Sequence, residues 1–139
     1  SNHPTALMKR ALAATSEPLV ANQCEYHPQL DQRAVLDACR ANGMAFVSYS
    51  PIGRGDLPND PTIREIAARH GKTPAQVVLR WHVQQPGVVA IPKSGNPARI
   101  AENIGVFDFE LSGDEMARLH ALARPDGRKI APEFSPRWD

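Results

Sequence analysis

The chain has 139 residues, a length typical of a single domain, and 42% of them are hydrophobic, which is enough for a folded core. Its net charge of +1 excludes the strong positive charge that is typical of proteins binding nucleic acid or membrane surfaces. We see no apolar run long enough to cross a bilayer and no leader peptide, so we expect a cytoplasmic protein without nucleic-acid or membrane partners. Cys24 and Cys39 show no metal-ligand spacing with the histidines, so we expect no metal site, and reduced thiols are a simpler interpretation than a disulfide.

The first half of the chain predicts two helices that alternate with two strands. Apolar residues at helical spacing predict a helix from about residue 4 to 15, and a strand over 19–26 follows it. Asp31 is expected to cap a second helix, which runs to about residue 42 and ends at Gly43 in the left-handed conformation. The next strand, 44–49, leads into a flexible loop over 50–56.

The second half continues the same alternation. Asp60 and Thr73, each followed by proline, predict the starts of two helices, and the apolar run 88–92 predicts a third strand. Ser112 and Glu115 have the spacing of a capping box and predict a last helix. Residues 124–139 contain three prolines and no periodicity, so we expect a tail draped over a body formed by residues 1–123.

Strands that alternate with helices predict a parallel α/β sheet, in which functional residues gather at the carboxyl ends of the strands. Each predicted strand does end in polar residues, which include Gln23 and Glu25, Ser48 and Tyr49, and Lys93 and Ser94. Glu25, Tyr26 and His27 lie at the end of the first strand, where an acid–base role for the three competes with the favoured interpretation that Tyr26 and His27 shape the loop and pack beside the site. His70 and His82 lie in helical segments and are expected to be surface or packing residues.

The stretch from Val88 to Asn103 predicts an anion site. A strand, a polar loop and a helix that begins at Asn96-Pro97 bring backbone N–H groups and the positive end of a helix dipole together. Arg99 in the first helical turn opposes that dipole unless an anion binds there. Lys93, Ser94 and Arg99 are therefore candidate phosphate donors, and a solvated surface loop is the alternative.

Several segments, in matching order and spacing, resemble the C-terminal half of an aldo-keto reductase. They are Ser1-Asn2; Asn22-Gln23-Cys24-Glu25-Tyr26-His27-Pro28; Ser48-Tyr49-Ser50-Pro51-Ile52-Gly53; and Ile91-Pro92-Lys93-Ser94 with Asn96, Arg99, Glu102 and Asn103. The resemblance covers essentially the whole chain, and the tail looks like that of the bacterial 2,5-diketo-gluconate reductases within the family. It implies an α/β fold, namely the C-terminal half of a (β/α)8 TIM barrel whose parallel strands alternate with helices.

The resemblance also implies an oxidoreductase that reduces aldehydes or ketones with NADPH. Three residues match groups that hydrogen-bond the nicotinamide carboxamide: Ser1, Asn2 and Gln23. Tyr49 matches the residue that stacks on the nicotinamide, and the backbone N–H groups of Ser50 and Ile52 match those that bind the pyrophosphate.

The remaining implied contacts lie in the Val88–Asn103 stretch. Lys93, Ser94 and Arg99 match the groups that hold the adenosine 2′-phosphate, and Glu102 and Asn103 match those that contact the adenine. Charge-assisted hydrogen bonds to that phosphate would favour NADP over NAD.

The family's catalytic tetrad of Asp, Tyr, Lys and His precedes the part of the barrel that this chain resembles. His27, Tyr26 and Tyr49 are not substitutes, because their positions match loop, packing and stacking residues. We therefore predict no catalytic residue here and at most very poor activity for the chain alone. The partners expected are a small carbonyl substrate and either an N-terminal half-barrel or further copies of the chain. The alternative is a non-catalytic half-barrel that self-associates or binds nucleotide weakly.

Overall fold

Three short strands form a parallel sheet in the order β1–β2–β3 in the computed structural model, which describes residues 1–139. The strands span Ala21–Glu25 (β1), Ala45–Tyr49 (β2) and Val88–Ala90 (β3). Gln23 lies opposite Val47 in the register between β1 and β2. The predicted parallel α/β alternation is confirmed, and each strand is shorter than the range predicted for it.

Six α-helices flank the strands. They are Thr5–Ala13 (α1), Arg33–Ala41 (α2), Pro61–His70 (α3), Pro74–Val83 (α4), Pro97–Ile104 (α5) and Gly113–His120 (α6). The loop after β2, predicted to be flexible, contains two short 3-10 turns at Gly53–Gly55 and Leu57–Asn59. No helix is both long and apolar enough to span a membrane.

Side-chain caps define where the helices begin. The Asp60 carboxylate accepts hydrogen bonds from the first turn of α3, and Ser112 and Glu115 form the predicted capping box of α6. The prediction for Asp31 is wrong. Gln32 occupies the N-cap position of α2, while Asp31 accepts the backbone N–H of Arg33 at 2.9 Å and pairs with the Arg33 guanidinium.

The core lies between the sheet and helices α2, α3, α4 and α6. Its largest fully buried side chains include Trp81, Phe46, Leu57, Ile63, Ile66 and Leu119. Tyr26 stands within this cluster, with its ring centroid 5.3 Å from that of Phe46 and 4.8 Å from that of Trp81. Burial of such side chains from water is the main favourable term for the fold.

The sheet is open at both sides, because β1 and β3 each pair with β2 alone. The exposed apolar side chains on α5 and just after it, which we call the α5 patch, are Ile100, Ile104 and Phe107; Val89 and Ile91, in and just after β3, are exposed as well. Helix α5 has no buried residue. Residues 121–139 contain no helix or strand, as predicted for the tail.

Candidate functional site

A cleft of about 860 Å³ opens at the carboxyl ends of β2 and β3. The loop after β2, the loop after β3 and the face of α5 form its walls. Seven of the predicted cofactor-binding residues line it: Ser50, Ile52, Lys93, Ser94, Arg99, Glu102 and Asn103. The fold therefore gathers residues separated by some fifty positions of sequence at one surface, as expected for the strand ends of a parallel sheet.

The cleft carries an excess of positive charge. Arg54, Lys93 and Arg99 line it, and none of these cations forms an ion pair or a side-chain hydrogen bond. Glu102 is the one acidic residue in the lining. Unpaired cations that converge on a concave surface attract a multiply charged anion such as a phosphate ester.

The start of α5 lies at this cleft, and nearby side chains hold two of its first backbone N–H groups. Asn96 caps the helix, and its side-chain oxygen accepts the N–H of Ala98 at 2.9 Å. The Ser94 hydroxyl oxygen accepts the N–H of Asn96 at 3.1 Å, which fixes the turn between Lys93 and the helix. Arg99 is exposed in the first turn, where no acidic residue offsets the dipole.

Glu102 is held by the neighbouring helix rather than left free. The Thr73 hydroxyl donates to its carboxylate at 2.5 Å, and the Gln76 amide donates to its backbone carbonyl at 3.0 Å. Thr73 and Gln76 also form the capping box of α4. The Thr-x-x-Gln spacing before α4 is a recognisable signal for this capping box, but no sequence pattern links it to Glu102. One carboxylate oxygen of Glu102 is thus already engaged.

Left-handed backbone marks the same end of the sheet. Three residues other than glycine have positive φ: Asn2 at 53°, Ser50 at 49° and Arg54 at 57°. Such conformations store of order 1–3 kcal/mol each and concentrate at functional sites. Asn2 and Ser50 are predicted cofactor-binding positions, and Ser50 and Arg54 line the cleft.

The other four predicted residues, Ser1, Asn2, Gln23 and Tyr49, do not line the cleft. They lie toward the β1 side, where the backbone N–H of Asn2 donates to the carbonyl of Gln23 at 2.8 Å. Burial and the nearby Glu25 carboxylate raise the pKa of Tyr49, while Asn2 and Arg128 act in the opposite direction. Asn2, Tyr49 and two charged residues are therefore neighbours here.

The buried cluster after β1 is structural. Glu25 and His27 are completely buried, and the His27 Nε2 atom lies 3.1 Å from a Glu25 carboxylate oxygen. The Tyr26 hydroxyl is buried and donates to Gln85 at 2.9 Å. These contacts agree with the favoured interpretation that Tyr26 and His27 pack beside the site.

The helical histidines serve packing as well. His82 is fully buried, its Nδ1 atom lies 2.8 Å from the carbonyl oxygen of Val78, and burial lowers the pKa of its imidazole to about 4. His70 approaches the Glu115 carboxylate at 3.0 Å and links α3 to α6. No three His, Cys, Asp or Glu side chains are grouped so as to hold a metal ion.

The sequence model of the Aldo/keto reductase family matches residues 1–124, and the chain belongs to that family. An aldo-keto reductase from Mycolicibacterium smegmatis is 48% identical over 112 residues, which are 81% of this chain and 40% of that protein.

Solved structures give the same result for the fold. The crystal structure of a candidate 2,5-diketo-D-gluconic acid reductase B is 46% identical in sequence and superposes with a TM-score of 0.97. The match covers 99% of this chain and 50% of that protein. The Gox0644 protein, crystallised as a variant in complex with NADPH, is 42% identical with a TM-score of 0.88 over 94% of this chain and 48% of its own. The chain thus spans about half the length of these relatives, and its sheet is part of a (β/α)8 barrel. At the level of the family, the predicted cofactor NADPH is confirmed.

Proposed function

We propose that this chain is the NADPH-binding half of an aldo-keto reductase that reduces aldehydes and ketones to alcohols. The observation that carries the proposal is the cleft with three unpaired cations, Arg54, Lys93 and Arg99, at the strand ends. The family itself and the NADPH complex of Gox0644 support it further.

The residues around the cleft fit the phosphates of this cofactor. Lys93, Ser94 and Arg99 would hold the 2′-phosphate, because two cations and a hydroxyl offer charge-assisted hydrogen bonds to a dianion. The loop that begins at Ser50 would present its backbone N–H groups, including that of Ile52, to the pyrophosphate. Asn103 and the face of Glu102 that is not bound to Thr73 would contact the adenine.

The β1 side would receive the nicotinamide, whose hydride is the reductant when NADPH is bound. Ser1, Asn2 and Gln23 would hydrogen-bond its carboxamide, and the half-buried ring of Tyr49 would stack against it. Because carbonyl reduction also needs a proton donor, the tetrad of the preceding half-barrel is required. Tyr26 is unsuited to that role, since burial raises the pKa of its hydroxyl and Gln85 accepts its hydrogen bond. We therefore expect the isolated chain to be nearly inactive.

The substrate would be a small carbonyl compound. The likeness to a candidate 2,5-diketo-D-gluconic acid reductase B makes 2,5-diketo-D-gluconate the first compound to test. We place the reaction in the cytoplasm. The N-terminal half-barrel is the expected partner, since the free edges of β1 and β3 and the α5 patch would complete the barrel with it. Residues 1–123 would form the half-barrel and 124–139 its tail.

The test is isothermal titration calorimetry of the purified chain with NADPH and, in a separate experiment, with NADH. We expect NADPH to bind at least about tenfold more tightly, because the extra phosphate adds charge-assisted hydrogen bonds worth at least about 1.5 kcal/mol. Equal affinities for the two nucleotides, or no binding of either, would contradict the proposal.

A second candidate function is a non-catalytic half-barrel that self-associates. The α5 patch favours it, because exposed apolar side chains beside a free strand edge promote pairing between copies. Gel filtration at several concentrations, with and without a co-expressed N-terminal half, separates the two. Preference for the heterologous half supports the reductase, and a stable homo-oligomer that ignores that half supports the alternative.

A further inference from the structure

The tail is fastened to the end of β1 by one buried carboxylate. Glu25, the last residue of β1, is completely buried. One of its carboxylate oxygens accepts the backbone N–H of Lys129 at 2.7 Å, and the other accepts the N–H of Ile130 at 3.0 Å. These hydrogen bonds join residues more than one hundred positions apart in the sequence.

The tail supplies most of what this carboxylate needs in a buried setting. Besides the two N–H groups, His27 lies 3.1 Å from one oxygen and the Arg128 guanidinium lies 3.9 Å from the other. A buried carboxylate without such partners is strongly unfavourable. Burial acts to raise the pKa of Glu25, but the hydrogen bonds from His27, Lys129 and Ile130 outweigh it and leave the pKa lowered.

Two further contacts join the tail to the body, and a third holds two tail residues together. A Cβ atom at Gly127 would overlap the carbonyl oxygen of Gln29, so the chain passes that loop at a distance which glycine alone permits. The Arg128 guanidinium stacks 3.7 Å from the centre of the Trp138 ring. The Asp139 side chain accepts the backbone N–H of Thr5 at the start of α1 at 2.8 Å.

We propose that Glu25 is a positioning residue, which anchors the tail across the carboxyl end of β1 and thereby holds Arg128, with Trp138 stacked on it, at the strand end where Tyr49 lies opposite Glu25. The tail then forms a fixed wall next to the position of Tyr49, rather than a loose terminal segment. The importance of this wall for carbonyl reduction rests on the proposed function, whereas the anchor itself does not.

The experiment measures amide hydrogen exchange in the 139-residue chain without nucleotide, so that failure of NADPH binding leaves its outcome unaffected. In the wild type, the amides of Lys129 and Ile130 should be protected. Glu25→Gln replaces one acceptor oxygen by a donor facing an N–H group, so both amides should exchange at least about tenfold faster. The Ile91 amide, which donates to Ser48 across β2 and β3, should keep its protection.

Glu133→Gln is the matched control, because Glu133 is an exposed carboxylate of the same tail with no hydrogen bond or ion pair, and its exchange should equal that of the wild type. A nuclear magnetic resonance spectrum adds a specific signature: the indole N–H of Trp138 should shift in Glu25→Gln while that of buried Trp81 does not. Glu25→Asp, which keeps the charge, should restore part of the protection.

Gly127→Ala is a second variant that tests the same proposal if Glu25→Gln fails to fold. This substitution displaces the tail without changing Glu25, and we expect the same faster exchange at Lys129 and Ile130. Unprotected amides at these residues in the wild type would overturn the proposal. Unchanged protection in both Glu25→Gln and Gly127→Ala would overturn it as well.

Discussion

The polar side chains at the two edges of the sheet differ in whether they have partners within the chain. Around β1, the side chains of Glu25 and Asn22 are buried, and each finds partners within the chain. Around β3, Lys93 and Arg99 are exposed and have none. Pairing a buried polar group stabilises a fold, whereas an unpaired charge in a cleft contributes nothing until a ligand arrives. The buried polar groups around β1 therefore contribute to the stability of the fold, whereas Lys93 and Arg99 around β3 contribute no pairing within the chain.

The largest effect should come from removing both cations of the β3 side. In the double variant Lys93→Ala/Arg99→Ala, we expect NADPH to bind about 100-fold more weakly, because two charge-assisted contacts to the 2′-phosphate are lost at about 1.4 kcal/mol each. NADH affinity should change much less, and calorimetric titration with both nucleotides measures the difference.

Arg64→Ala is the control for this double variant, because Arg64 is an exposed arginine near the start of α3 that makes no ion pair. It should leave both affinities unchanged. An equal loss for NADPH and NADH in the double variant would show that Lys93 and Arg99 do not read the 2′-phosphate.

The stability of the fold should depend on pH because His82 is buried in its neutral form. Burial lowers the pKa of His82 to about 4, so the folded chain disfavours the protonated imidazole, whose pKa in the unfolded chain is near 6.5. The stabilisation is complete above pH 6.5 and is lost as the pH falls toward 4. We expect the free energy of unfolding in urea to fall by about 2 kcal/mol between pH 8 and pH 5.

Substitution of this histidine identifies the source of the effect. In His82→Gln, the change in the free energy of unfolding between pH 8 and pH 5 should shrink by more than half. Burial also lowers the pKa of His120 in α6, so His120→Gln should remove a smaller part of that change. Glu25 and Glu115, whose pKa values are lowered, add losses only below about pH 4.5. A slope that is the same in His82→Gln and the wild type would refute this assignment.

The smallest effect concerns the stability of the β3 side. Arg99 is a cation in the first turn of α5, where it opposes the helix dipole. Arg99→Ala should therefore raise the free energy of unfolding by about 0.3–0.5 kcal/mol, or leave it unchanged, while weakening NADPH binding. Thermal unfolding without nucleotide checks this, and a loss above about 1 kcal/mol would mean that Arg99 belongs to the fold.

The sequence predicted the β3 side well because its determinants are local. Asn96 at the cap, Pro97 in the first turn and Ser94 in the preceding loop act within a few residues, so spacing rules find them. The alternation of strands and helices likewise predicted the parallel sheet, since periodicity is a local property.

The β1 side was predicted less completely because its determinants are distant in sequence. Glu25 binds the backbone N–H groups of residues 129 and 130, and a backbone N–H carries no sequence signal. One contact on the β3 side is equally distant in sequence: Thr73 supports Glu102 from another helix, which only the packing of α4 against α5 reveals. Asp31 was predicted to occupy the N-cap position of α2, but Gln32 occupies it, and shifts of one residue at helix ends are common.

The free edge of β3 bears on how the chain is made and handled. Its outer N–H and C=O groups form a template for any added strand, and Val89 and Ile91 next to it are exposed. Pro92 and Lys93 end this exposed run and limit pairing beyond it, but the edge of β3 itself is unpaired, so newly synthesised chains can aggregate before that edge is covered. Expression at low temperature, or together with a complementary half-barrel, should therefore raise the yield of folded, unaggregated protein. We expect these conditions to affect that yield more than the stability of the core does.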